Sequence, residues 1–101
     1  LEECSVRRGQ TILLVEDEYS VLIAGRALLE RLDYTVMTAT NGSDALGVYQ
    51  CHQDEIALVL SDVRMPEMDG PELYAALRRI NPAVKALLMS AHHVEDWTTD
   101  P

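Results

Sequence analysis

Three oily runs of this chain end on side chains that can do chemistry. TILLVE runs into VEDE, which presents Glu16, Asp17 and Glu18 in succession. ALVLSD ends on Asp62, and ALLMS ends on Ser90. If Glu16, Asp17 and Asp62 come within about 5 Å, each pair repels by roughly 3 kcal/mol at an effective dielectric near 20. Such a cluster either retains a proton or binds a cation. A few carboxylate oxygens with room left for water suit Mg²⁺. A carboxylate beside a divalent cation is also a nucleophile for phosphoryl transfer, with Ser90 able to donate a hydrogen bond to a phosphoryl oxygen. The same acids could instead be solvated at strand ends or cap the helices that follow.

What must position them is a set of alternating elements. TILLVE (11–16) is short, oily and β-rich, a buried strand. In EYSVLIAGRALLERL, residues Val21, Ala24, Gly25, Leu28, Leu29 and Leu32 fall at helical spacing and predict one apolar stripe. Leu22 and Ile23 lie off it, as ordinary exposed apolar residues or as part of a partner surface. YTVMTA (34–39) suits a second strand. Asn41-Gly42 marks a turn, and Ser43 can cap a helix running to about Gln53. IALVLS (56–61) is oily on both faces, as a central parallel strand is when helices cover both sides. After the MPEMDG loop, Pro71 suits the first turn of a helix carrying Leu73, Leu77 and Ile80, which Asn81-Pro82 ends. VKALLMS (84–90) is a fourth strand. Alternation with short connections predicts right-handed βαβ units and a parallel sheet. Carboxyl ends of parallel strands share one edge, so Glu16, Asp17, Asp62 and Ser90 can meet where ligands of such sheets sit.

Bulk properties narrow the function. The 101 residues make one small domain. A formal charge of −9 argues against a nucleic-acid or anionic-membrane surface as direct partner. It is compatible with a cation site or a basic protein partner. Cys4 and Cys51 fit no zinc spacing and read as unpaired thiols in a reducing cytosol. No apolar run approaches the roughly 20 residues that span a bilayer. A cytoplasmic location is expected, with LEECSVRRGQ (1–10) as a polar lead-in or linker. No Gly-rich phosphate loop follows the first strand, which counts against a nucleotide-binding domain.

LLVEDE, LVLSDVRMPEMDG and KALLMSA, in that order, resemble the receiver domain of two-component response regulators, over about Thr11 to Ala91. The resemblance implies a CheY-like, flavodoxin-like doubly wound α/β fold with strand order 2-1-3-4, in a receiver domain spanning 11–101. It implies that Asp62 is the phosphoacceptor. Glu16, Asp17 and Asp62 would bind Mg²⁺ together with the backbone carbonyl of Arg64, and Ser90 would meet the phosphoryl group. It implies a sensor histidine kinase or a phosphotransfer domain as donor, and an inactive–active equilibrium read by partners. The family has a fifth strand, carrying an invariant lysine and an aromatic switch residue, and a last helix. The 101 residues stop before that strand, and Lys85 does not match the lysine. The flank of the fourth strand and one side of the first helix are therefore expected to lack cover. The expectation is either a C-terminally truncated fragment or a chain that completes its open edge as a homodimer or by a domain swap. The alternative to a phosphorylated switch is a pseudo-receiver that binds partners without phosphorylation. An aspartate-nucleophile phosphatase wants a second acid two residues after its nucleophile, where this chain has Arg64. The opening RRGQTILLVEDE also resembles receivers fused behind a sensor kinase.

His92 and His93 are adjacent, so their side chains point apart and a shared metal is not expected. Trp97 reads as core filler or a partner contact. Met65, Met68 and Met89 read as packing residues.

Overall fold

The computed structural model describes residues 9–89. Ser90, His92, His93, Trp97 and Cys4 lie outside the described residues. The elements run β1 (Thr11–Val15), α1 (Tyr19–Arg31), β2 (Thr35–Ala39), α2 (Gly42–Cys51), β3 (Ile56–Asp62), α3 (Gly70–Ile80) and β4 (Ala86–Met89). The four strands are parallel in the order β2-β1-β3-β4. This is the alternation and the strand order expected from the sequence.

Side-chain alternation along β1 assigns the faces. Leu13 and Val15 join Ala45 and Tyr49 of α2 and Leu73 and Leu77 of α3 in one buried cluster. Leu14 points the other way, under Gly25 of α1. Helices therefore cover both faces, and β3 is oily on both sides because both are covered. Leu13, Val15, Ala45 and Leu77 are fully buried at this centre.

Helix α1 buries a stripe rolled from the one its spacing predicts: Val21, Gly25 and Leu29 of that stripe are half-buried, and Ala24 is exposed. Leu22 is buried, while Leu28 and Leu32 are 57% and 51% exposed. The cause is Gly25. A Cβ there would stand 3.1 Å from Leu14, so the helix comes close to β1 at that residue. Close approach at 25 turns positions 22 and 29, three before and four after it, toward the sheet and rolls 28 and 32 outward. Ile23 is also exposed, as is Leu88 of β4. One side of α1 and part of β4 thus lack cover among the described residues.

Capping differs from expectation at α2. Asn41, not Ser43, caps it. Asn41 is extended and its Oδ1 accepts from the Asp44 amide at 2.7 Å, while Ser43 lies inside the first turn. β4 begins at Ala86 rather than at 84. Asn81 Oδ1 accepts from Ala83 N and its carbonyl from Val84 N, and that turn occupies the residues before the strand. Pro71 stands in the first turn of α3, as expected, behind a capping box. Asp69 Oδ1 accepts from Glu72 N at 2.9 Å, and Glu72 Oε1 accepts from Asp69 N at 3.0 Å. Asp69→Ala should therefore lower stability by about 1 kcal/mol, read as a downward shift of the urea midpoint with unchanged slope.

Candidate functional site

The chain passes from β1 outward to β2 and then returns to β3 on the other flank of β1. Strand order reverses there, so the carboxyl ends of β1 and β3 border the crevice where this class of sheet binds ligands. Val15 is in register with Ser61. The next residue of each strand end, Glu16 and Asp62, therefore stands level with the other. The Glu16 amide donates to Ala39 O at 3.1 Å, which fixes its backbone against β2.

One carboxylate oxygen from each of Glu16, Asp17 and Asp62 lies within 4.8 Å of the others. Glu16 and Asp62 are fully buried, and Asp17 is exposed. Two acids thus form the floor and one the lip. Glu16 Oε2 accepts from the Glu18 amide at 3.0 Å. Its other oxygen, Oε1, is buried with no hydrogen-bond donor among the described residues. Burial pushes the Glu16 carboxyl up from its usual 4.5 to about 7; the Glu18 amide opposes the rise, and the charge of Asp62 together with the hydrogen-bonding and charge of the Asp17 carboxylate adds to it.

This donor set fits a hard divalent cation. It is all oxygen, it contains an orphaned buried carboxylate atom, and it is open on the Asp17 side.

The rim is the β3–α3 loop. The Arg64 amide points to Asp62 Oδ1 at 3.4 Å, and the Arg64 side chain is exposed. Gly70 N donates to Val63 O at 2.9 Å. A Cβ on Gly70 would meet Asp62 O at 2.7 Å and Val63 Cα at 3.0 Å, so only glycine lets α3 begin this close to the end of β3. Val63 N donates to Met89 O at 2.7 Å, which brings the end of β4 to the same edge as Asp62. Ser90, next in the chain, lies outside the described residues. Lys85 precedes β4, at the amino edge, where it lines a cavity of about 240 Å³ with Gln10, Tyr49 and Asn81. It is at the far end of the sheet from the acids.

The spacing of the acids foretold their meeting, but two contributors carried no chemical signal of their own. Gly70 closes the MPEMDG loop, which the receiver resemblance makes the rim of the site, but the letters do not give its close packing on Asp62 O. Gly42 was visible only as a turn glycine, although it packs against Met68 of the rim.

A family model described as the response regulator receiver domain matches residues 12–100. The sensor kinase CckA of Brucella abortus is 43% identical over 82 residues, 81% of this chain and 9% of that protein. The chain spans between 9% and 20% of the lengths of the curated relatives considered. Among solved structures, the response regulator protein TrrA of Thermotoga maritima, in complex with Mg²⁺ and beryllofluoride, aligns with TM-score 0.73 at 28% identity over 90% of this chain and 82% of that one. The complex of histidine kinase ThkA with TrrA aligns with TM-score 0.74 at 27% identity, covering 90% of this chain and 81% of that one. Among the described residues, no helix is long and apolar enough to cross a membrane.

Proposed function

The chain belongs to the response regulator receiver domain family, and on that premise we propose that it is the phosphoacceptor module of a two-component phosphorelay, with Asp62 as the acceptor. The observation that carries this is a buried aspartate at a strand end, within 4.8 Å of two further carboxylates, under an open rim. An Asp62 oxygen attacks phosphorus as the P–N bond of a phosphohistidine donor breaks. A P–O bond forms, and the imidazole leaves with the electron pair of the broken bond. Hydrolysis reverses the loading, with water as nucleophile and Asp62 as leaving group. The domain turns over only its own phosphoryl group.

Glu16, Asp17, Asp62 and the Arg64 carbonyl would hold Mg²⁺, which neutralises phosphoryl oxygens and keeps attacking and leaving groups in line. The floor acids hold the rigid side of that site, and Asp17 closes it. The Arg64 amide orients Asp62. Ser90 is assigned the hydrogen bond to the phosphoryl group, which biases the switch between partner-binding states. The TrrA complexes support both the cation and a histidine kinase as donor; a phosphotransfer domain offers the same chemistry. The acidic surface and the family support a cytoplasmic module without direct nucleic-acid or membrane contact.

The test is incubation with Mg²⁺ and acetyl phosphate, read by intact mass. Beryllofluoride in its place is read by amide shifts at the carboxyl edge of the sheet. An adduct or a Mg²⁺-dependent shift is expected. Neither would leave a pseudo-receiver that binds partners without phosphorylation.

We extend the proposal to self-association. Among the described residues β4 is paired on one side only, by β3, and Leu88 on it is exposed. An open strand with an exposed leucine is a template for a second chain, by edge pairing or by swapping. Sedimentation of the 101-residue chain should show a dimer. A monomer that unfolds cooperatively overturns this extension without touching the phosphoacceptor assignment.

A further inference from the structure

The rim beside Asp62 contains a strained residue. Glu67 has φ +70°, and Met68 N donates to Pro66 O at 2.7 Å across it. That is a three-residue γ-turn with positive φ at its centre, a rare and strained geometry for a residue with a side chain. Such a conformation persists only where its surroundings over-determine it. One clamp is Gly70, seated against Asp62 O. The other is Met68, the exit residue of the turn, which lies over Gly42 at the start of α2. A Cβ on Gly42 would stand 2.7 Å from Met68 Sδ and 2.8 Å from its Cβ and Cγ. The blocking atoms include Met68 Cβ, which cannot move without its backbone. Gly42 is itself buried, and Met68 also packs on the core formed by α2 and α3.

We propose that Gly42 is a positioning residue: by leaving room for Met68 it holds the Pro66–Met68 turn, and with it the rim around Asp62, in the conformation that admits a phosphoryl donor. The rate consequence rests on the phosphoacceptor assignment; the coupling between Gly42 and the rim does not. A second consequence is that motion at the start of α2 is transmitted to the site through one packed side chain.

The same helix supplies a matched control. A Cβ on Gly47 meets nothing within 4 Å. Glycine to alanine inside a helix is ordinarily stabilising. Gly47→Ala should therefore raise the melting temperature and leave phosphorylation by acetyl phosphate at the wild-type rate. Gly42→Ala should slow it by about tenfold or more, since a misplacement of about 1 Å at a reacting site costs up to about a hundredfold. It should also speed hydrogen exchange at the Met68 and Gly70 amides about tenfold relative to wild type, as expected when a local opening becomes easier. In a Met68→Gly background, which removes all three blocking atoms, Gly42→Ala should have no further effect on either readout. Unchanged exchange at Met68 and Gly70 in Gly42→Ala overturns the proposal. So does an unchanged rate when the wild type is phosphorylated, or an equal further loss in the Met68→Gly background. If the wild type takes no phosphoryl group at all, it is the phosphoacceptor assignment that fails, and the exchange rates alone decide the coupling.

Discussion

Asp62→Asn will take no phosphoryl group from acetyl phosphate in the presence of Mg²⁺, while keeping its fold. Asparagine matches aspartate in size, and its side-chain oxygen can still accept from the Arg64 amide as Asp62 Oδ1 does at 3.4 Å. What it lacks is the charge that makes a carboxylate a nucleophile and a cation ligand. The loss should be complete, because the other two carboxylates are placed otherwise. Glu16 is buried and retains a proton up to about pH 7. Asp17 is exposed at the lip, where an acyl phosphate would lack the buried surroundings that Asp62 has. Intact mass after incubation reads the adduct, and far-UV circular dichroism with a urea melt reads the fold. An adduct of wild-type extent on Asp62→Asn would move the acceptor to another residue and end the assignment of Asp62. Removing the Asp62 charge also takes away one of the repulsions that raise Glu16. The Glu16 carboxyl should then titrate lower in this variant, visible in side-chain carboxyl shifts.

The convergence of acids was legible because it depends on very little. It needs β1 and β3 to be parallel neighbours and each to end on its acid. The two-sided oil of ALVL and the short connections predict a parallel sheet with β3 inside it, the receiver resemblance implies the order that makes β1 and β3 neighbours, and the letters supply the second condition. What could not be read was decided by contacts remote in sequence. Helix α1 carries Val21, Leu22, Ile23, Leu28 and Leu29, with Leu32 as its C-cap; these apolar residues spread over more than one face, so the periodicity admits more than one buried stripe. Gly25 settling on Leu14 chooses among them. The cap of α2 had two candidates, Asn41 and Ser43, and the extended backbone at Asn41 chooses the first. Gly42 read as a turn signal beside Asn41. Its tighter constraint comes from Met68, across the loop after β3. The sequence also placed Glu16 and Asp17 side by side without saying which is the floor. Strand alternation and the crevice between β1 and β3 bury Glu16 and leave Asp17 at the lip.

That burial leads to the second large effect. Glu16 titrates near 7 in the folded chain and near 4.5 when unfolded. Between those values the folded state binds more protons than the unfolded state, so stability falls as pH rises through the window. Below about 4.5 the group contributes no slope, and above about 7 its destabilisation is complete. The total is on the order of 3 kcal/mol, since each unit of difference is worth about 1.4 kcal/mol. Glu16→Gln should abolish this component. Its oxygen can still accept from the Glu18 amide, and its NH₂ can donate toward the neighbouring carboxylates. Urea midpoints from pH 4 to pH 8 should therefore separate: the variants should lie close together at the acid end, with Glu16→Gln markedly more stable at the alkaline end. Parallel profiles would show that Glu16 ionises normally and that its burial is relieved in some way absent from this geometry. Mg²⁺ sharpens the test. A cation on the floor acids binds the ionised form of Glu16 and should restore stability to the wild type at pH 8, less so at pH 5, and least of all to Glu16→Gln. Restored stability at pH 8 in the wild type alone would tie the ionisation of the buried Glu16 to cation binding, and so to the site proposed around Asp62.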